Sequence, residues 1–353
     1  MDRPGIDWSG IRRVLVVRLR SIGDTVLCTP SLIALKRFLP HAQVDILLEN
    51  WVAPVLEGFD AVDNVFTVGS STGSRLSAAR EIRRRKYDIV FNLHGGTTAT
   101  FFAAASGARH RVGYADYQYP FLYNHLLSSS SDFWGHGATH SAEHQLALLG
   151  FAGVPVEDRP KSRLAITESA IESLDIKLRE AGLESFDTHQ PFAIIHPFAA
   201  SKTKEWDLEK FARTAEFLKG KGLPTIAVGS EQQEKVLSDF SSLSIAPVHP
   251  LTRLTLPELT ALTSRARLFV GNDSGVAHIA AAVQTPSVVI FGSSNRDHWR
   301  PWTDAPNEVV FEPFSCQPCP GRECKEFGEP RCIQTLGTEK VFASIDRLLK
   351  LHT

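Results

Sequence analysis

Short runs of consecutive apolar, β-branched residues, each followed by a helix signal, constrain the fold of this chain more than any other feature. Val14-Leu15-Val16-Val17 is the first such run. With no polar alternation, it reads as a strand of a parallel sheet buried on both faces. A helix signal follows, with Thr29 placed as N-cap and Pro30 at the first helical position. That helix would carry Leu32, Leu35 and Phe38 and stop near Pro40. Further apolar runs lie at residues 44–48 and 88–93, the second preceded by a helical stretch. Alternating strands and helices imply βαβ units and a parallel sheet.

The alternation restarts farther along. Strands are predicted at 192–195, 225–228, 268–270 and 287–291, and helices at 208–219, 231–240, 257–263 and 276–282. Two α/β domains with a cleft between them is the simplest architecture, with residues 1–160 forming the first and 161–337 the second. Residues 153–161 read as the linker. A final amphipathic helix at 339–349, within residues 338–353, carries Val341, Ile345, Leu348 and Leu349 and is expected to pack back toward the first domain. The pattern weakens over 113–137, where Tyr114, Tyr117, Tyr119, Phe121, Tyr123, Phe133 and Trp134 surround a serine run. Loops this long are usually functional or disordered.

Composition excludes some classes. The formal net charge of -1 gives no global field for nucleic acid. The run Arg83-Arg84-Arg85-Lys86 reads as a solvated helix end. No apolar run is long enough to span a bilayer, and residues 1–8 lack a signal-peptide core. The expectation is a cytoplasmic protein whose contact with a membrane, if any, is peripheral. No G-x-G-x-x-G follows a strand and no G-x-x-x-x-G-K-[ST] is present, which disfavours dinucleotide enzymes and P-loop ATPases. There is also no D-x-D pair to hold a divalent cation.

Several loops after strands could carry chemistry. Arg20-Ser21-Ile22-Gly23-Asp24 follows the first strand, where ligands of open α/β sheets bind. Gly23 would let the backbone approach a ligand, and Asp24 would present a carboxylate; taken alone, Asp24 reads more simply as a helix cap. Gly271-Asn272-Asp273-Ser274-Gly275-Val276-Ala277-His278 also follows a strand and opens a helix. Its free N–H groups at Ser274 and Gly275 would form an anion site. Capping by Asp273 or Ser274 is the other reading, and the two are compatible, since a capped helix start can still hold a phosphate. Lys204, in Lys202-Thr203-Lys204-Glu205-Trp206, could neutralise a phosphate, although most lysines are simply solvated. Glu231, after Gly229-Ser230, could accept from ribose hydroxyls or merely favour a helix start. Four of five cysteines cluster as Cys316, Cys319, Cys324 and Cys332. They could ligate zinc or an iron–sulfur cluster, stay as reduced structural thiols or form an adventitious disulfide, while Cys28 reads as a core residue.

Taken together, residues 14–30 (VLVVRLRSIGDTVLCTP), 92–95, 204–206, 229–231 and 271–292 (GNDSGVAHIAAAVQTPSVVIFG) resemble glycosyltransferase family 9, the lipopolysaccharide heptosyltransferases. The likeness runs over nearly the whole chain. It implies a GT-B fold: two Rossmann-like domains with parallel sheets facing a central cleft, acceptor on the first and nucleotide-sugar on the second. It implies inverting transfer of a heptose from a nucleoside-diphosphate donor such as ADP-heptose to a lipopolysaccharide core or similar anionic glycolipid, with no required cofactor. Asp24 is then the base and Lys204 the donor-phosphate ligand. Glu231 would bind the ribose and Asp273 would face the donor sugar. Ser274 and Gly275 would offer amides to the diphosphate, with His278 on the following helix. Arg20, Gly23 and His94 are acceptor-side candidates. Rival readings are a nucleotide-sugar epimerase or hydrolase of the same fold, a non-catalytic member, or a redox or metal protein centred on the cysteines.

Overall fold

The computed structural model describes residues 4–183, 190–319 and 322–351. The chain divides into two units, Met1–Ala165 and Ile166–Thr353. Each is built on one six-stranded sheet, and every strand pair is parallel.

The first sheet holds β1 (Arg13–Leu19), β2 (Gln43–Glu49), β3 (Asn64–Val68), β4 (Ile89–Asn92), β5 (His110–Tyr114) and β6 (His125–Leu127), in the order β3-β2-β1-β4-β5-β6. The second holds β7 (Ala193–His196), β8 (Thr225–Val228), β9 (Val248–Leu251), β10 (Leu268–Asn272), β11 (Ser287–Phe291) and β12 (Asn307–Phe311), in the order β12-β11-β10-β7-β8-β9. Numbered within its own unit, the second order read backwards is again 3-2-1-4-5-6. This is the doubly wound Rossmann order, whose ligand crevice opens at the carboxyl ends of the strands where the order reverses. The reversal falls between β1 and β4 in one unit and between β7 and β10 in the other. Register brings Val17 beside Asn92 and His196 beside Gly271, so the loops after these strands share an edge.

Residues with no polar alternation form the central strands because helices cover both faces. Val14 through Val17 have no solvent exposure. In the second unit one core layer joins Phe211, Leu218, Leu237 and Phe240 to the sheet, and the other joins Leu174, Leu178, Leu262 and Ala280 to it. Each fully buried side chain of this size contributes about 1.5–3 kcal/mol.

The helix Thr338–Lys350 is packed within the second unit. Val341, Ile345 and Leu348 recur at helical spacing and complete the second unit's own core with Phe211 and Ile333. Phe342 stacks on Phe217 at 4.2 Å, and Asp346 pairs with Lys221 at 2.6 Å. The aromatic stretch 113–137 is no structureless loop. It contains β6 and the helix Ser130–Trp134. The Tyr114 ring stacks on His144 at 4.1 Å, and Trp134 Nε1 donates to the Glu143 carbonyl at 2.9 Å. Much of the aromatic content is thus packing against the helix Ser141–Ala152, while Tyr119 and Phe121 remain exposed. Part of the expected linker is likewise anchored to the first unit, since Arg159 pairs with Glu143 at 2.6 Å and Asp158 with Arg37 at 2.5 Å.

Candidate functional site

In the first unit the loop after β1 turns directly into the short helix Ile22–Val26. Asp24 sits at its third position and closes a capping box with Ser21, whose Oγ and N donate to Asp24 Oδ2 at 2.8 and 3.2 Å. Capping is therefore real, but it engages one oxygen. The other faces the Arg18 guanidinium, which also donates to the Leu93 carbonyl. Arg18 so ties the end of β4 to the carboxylate that follows β1. The Asp24 side chain keeps 22% of its surface exposed, enough to meet a ligand. Gly23 is buried in helical backbone, so its conformational freedom is not used.

The freedom is used at Gly95, where φ is +73° and any Cβ would lie 3.0 Å from the Tyr117 ring. Asn92 Oδ1 accepts from the N–H groups of both His94 and Gly95 at 3.0 Å and so shapes the loop after β4. The amide of Asn92 is anchored by donating to Tyr123 Oη at 2.6 Å. His94 hydrogen-bonds the Arg20 carbonyl through its ring. Burial first, and the Arg18 charge second, push its pKa down to about 4, so the ring is neutral near pH 7. Its Nδ1 has no hydrogen-bond partner among the described residues although it is shielded from water. With the other nitrogen protonated, Nδ1 presents a lone pair. The structure thus groups Asp24, His94 and the Arg20 backbone with Arg18. The Arg20 side chain itself is 61% exposed and leans toward Glu49 at 3.4 Å.

The second unit carries the other cluster. After β7 the chain makes the turn Lys202–Lys204, and after β10 comes Asp273. Lys204 Nζ lies 2.7 Å from Asp273 Oδ2, and Ser294 Oγ, on the loop after β11, donates to the same oxygen. Asp273 keeps only 6% of its surface exposed. Gly292 lets the post-β11 loop lie on the lysine turn, since a Cβ there would meet the Thr203 carbonyl oxygen at 2.2 Å. Ser274 is the N-cap of the helix Gly275–Ala282, yet it makes no capping hydrogen bond, because its Oγ pairs with His196 Nδ1 at 3.2 Å. Asp273 and Ser274 are both drawn away from the helix start. No side chain caps this helix start, where the first-turn amides and the helix dipole would favour an anion. His278 lies one turn on and is buried. Burial holds His196 neutral, with a pKa pushed down to about 4.

Glu231 opens the turn after β8, on the same carboxyl edge as the helix start. It is exposed and faces Arg253 Nε at 3.3 Å. The N-cap role there belongs to Ser230, in a capping box with Gln233, so the carboxylate of Glu231 remains available.

The cysteines do not form a metal centre in the described residues, where no three His, Cys, Asp or Glu side chains are grouped to hold an ion. All five thiols are free. Burial first, and the neighbouring thiols second, raise the pKa of Cys319 and Cys332, and burial raises that of Cys28 to about 12. The segment instead braces the site: Cys319 N donates to the Ser293 carbonyl at 2.8 Å and Gln317 Nε2 to that of Gly292 at 2.6 Å.

Sequence reasoning missed Arg18 and Ser294. Arg18 had a signal, being a charge in an apolar strand, which must find a partner when buried. Ser294 had none, because its role comes only from the approach of two loops distant in sequence.

The glycosyltransferase family 9 (heptosyltransferase) profile matches residues 75–328. Lipopolysaccharide heptosyltransferase 3 of Escherichia coli is 26% identical over 354 residues, spanning 95% of this chain and 98% of that protein. A family 9 glycosyltransferase structure from Veillonella parvula matches with a TM-score of 0.81 at 21% identity, over 96% of this chain and 97% of its own. The structure of E. coli ADP-heptose LPS heptosyltransferase II matches at 0.77 and 19% identity, over 96% and 99%. These two structures establish a shared fold.

Proposed function

Because this chain belongs to glycosyltransferase family 9, we propose that it moves a heptose or related sugar from a nucleoside-diphosphate donor, ADP-heptose first, to a lipopolysaccharide core or similar glycolipid. The relatives named for heptose transfer and for ADP-heptose support this choice of donor and acceptor. The observation that carries it is the uncapped helix start at Ser274–Gly275, beside a lysine and a buried aspartate. That arrangement suits a diphosphate whose sugar extends toward Asp273. Glu231 on the same edge would accept from the ribose hydroxyls.

The reaction is a single inverting displacement. The acceptor hydroxyl oxygen attacks the anomeric carbon and its proton passes to Asp24, while the bond to the donor phosphate breaks and its electron pair leaves on the phosphate oxygen. Ser21 and Arg18 fix the two oxygens of the base. The lone pair of His94 Nδ1 would accept from a second acceptor hydroxyl, and Arg20 and Gly23 line the approach. Charge building on the departing diphosphate is met in part by Lys204, itself paired with Asp273, and by the helix start, with no divalent ion in the step. The anionic acceptor places the enzyme at the inner face of a membrane as a peripheral partner. Among the described residues no helix is long and apolar enough to cross one.

Asp24→Asn is the test. Turnover of ADP-heptose with a phosphorylated lipid-core acceptor should fall by about 10²–10⁴-fold, with ADP binding kept. Near-normal turnover would remove Asp24 from the base role. Donor consumption that does not need acceptor would instead point to an epimerase or hydrolase.

A further inference from the structure

Lys204 is the cation the sequence offers to the leaving diphosphate, yet its charge is already matched. Its partner at 2.7 Å is the buried carboxylate of Asp273, so the two together bring no net positive charge. Beside this pair opens a cavity of about 500 Å³, lined among others by Ser201, Lys204, Ser294, Trp299, Cys319 and Arg322. Arg322 makes no hydrogen bond or ion pair with any described residue, and it is exposed. A guanidinium kept at a cavity without a counter-charge is suited to a phosphate, which it can grip with two parallel hydrogen bonds.

Two residues that precede Arg322 in the chain are tied to the loop after β11, Cys319 N on the Ser293 carbonyl and Gln317 Nε2 on the Gly292 carbonyl. Ser293 Oγ in turn donates to Thr203 Oγ1 at 2.9 Å, next to Lys204. The cysteine-rich segment therefore forms a wall of the same cavity whose other side is Lys204 and Ser294.

We propose that Arg322 is a further catalytic residue: it grips the sugar-side phosphate of the donor. As the anomeric C–O bond breaks and its electron pair moves onto that phosphate, the guanidinium takes up the charge that the Lys204–Asp273 pair leaves unbalanced. This rests on the donor reading above and adds to it the group that supplies the net charge.

The test is calorimetric titration of the full-length protein with ADP and with AMP, which lacks the second phosphate. Arg322→Ala should weaken ADP by about 10–100-fold, as for loss of hydrogen bonds to a charged group, and leave AMP within about twofold. Arg322→Lys should recover part of the ADP affinity, because it restores charge without the fork. Transfer by Arg322→Ala should lose kcat by about 10²-fold, the size seen when one transition-state donor is removed. Unchanged ADP binding in Arg322→Ala, or equal losses for ADP and AMP, would overturn the assignment while leaving the donor site in place. A wild-type protein that binds none of ADP, UDP and GDP would overturn the donor reading and this assignment with it.

Discussion

His94 and His196 each sit at the carboxyl end of a central strand and are kept neutral by burial, with pKa values near 4. In the unfolded chain each would titrate near 6.5. Above that pH both states are neutral and the histidines do not affect stability. As pH falls from about 6.5 to 4, the unfolded chain takes up protons that the folded chain refuses, so stability declines across that window. Thermal melts between pH 7.5 and 4.5 should show this fall, and His196→Asn should flatten it. A variant with the full wild-type acid slope would show that His196 contributes nothing. At the same scale, Asp24, Lys204, Asp273 and Ser274 could be located from sequence because each follows a short apolar run, where a parallel sheet exposes its loops. Their partners were less legible: Arg18 shows only as a charge in an apolar strand, and Ser294 and the lone pair of His94 acquire meaning only when separate loops meet.

Elements were legible where residue type and environment agree. β8 and β11 were predicted at the bounds the structure has, since Thr225–Val228 and Ser287–Phe291 are almost wholly apolar or β-branched and fully buried. β6 and β9 were missed for the opposite reason. β6 is three residues long and starts with a histidine, and β9 carries His249 and Pro250, which is tolerated only because β9 is an edge strand. The last helix was visible from its amphipathic spacing, which says that a face is buried and not what buries it. Ile345 lies at the middle of that face with no exposure. Ile345→Ala should cost about 2–5 kcal/mol of stability through lost burial and a residual cavity. A denaturant midpoint within error of wild type would show that the helix is not part of the second unit's cooperative core.

At the scale of the whole molecule, each unit owns a sheet and a core, and the residues proposed to hold the donor, Lys204, Glu231, Asp273, Ser274 and Arg322, all lie in Ile166–Thr353. Residues 166–353 expressed alone should therefore keep ADP binding close to that of the full chain and have no transferase activity. A folded fragment that binds ADP far more weakly would mean that the first unit also supplies donor contacts. The two units also repeat one strand order around quite different chemistry: a guanidinium, a carboxylate and an imidazole at one reversal, a lysine–aspartate pair and a helix start without a side-chain cap at the other. A scaffold doubled in this way is modular in heredity as well as in shape. Substitutions around one crevice can accumulate without disturbing the residues that build its twin, so on the proposed function descendants could change the acceptor they take while keeping the donor.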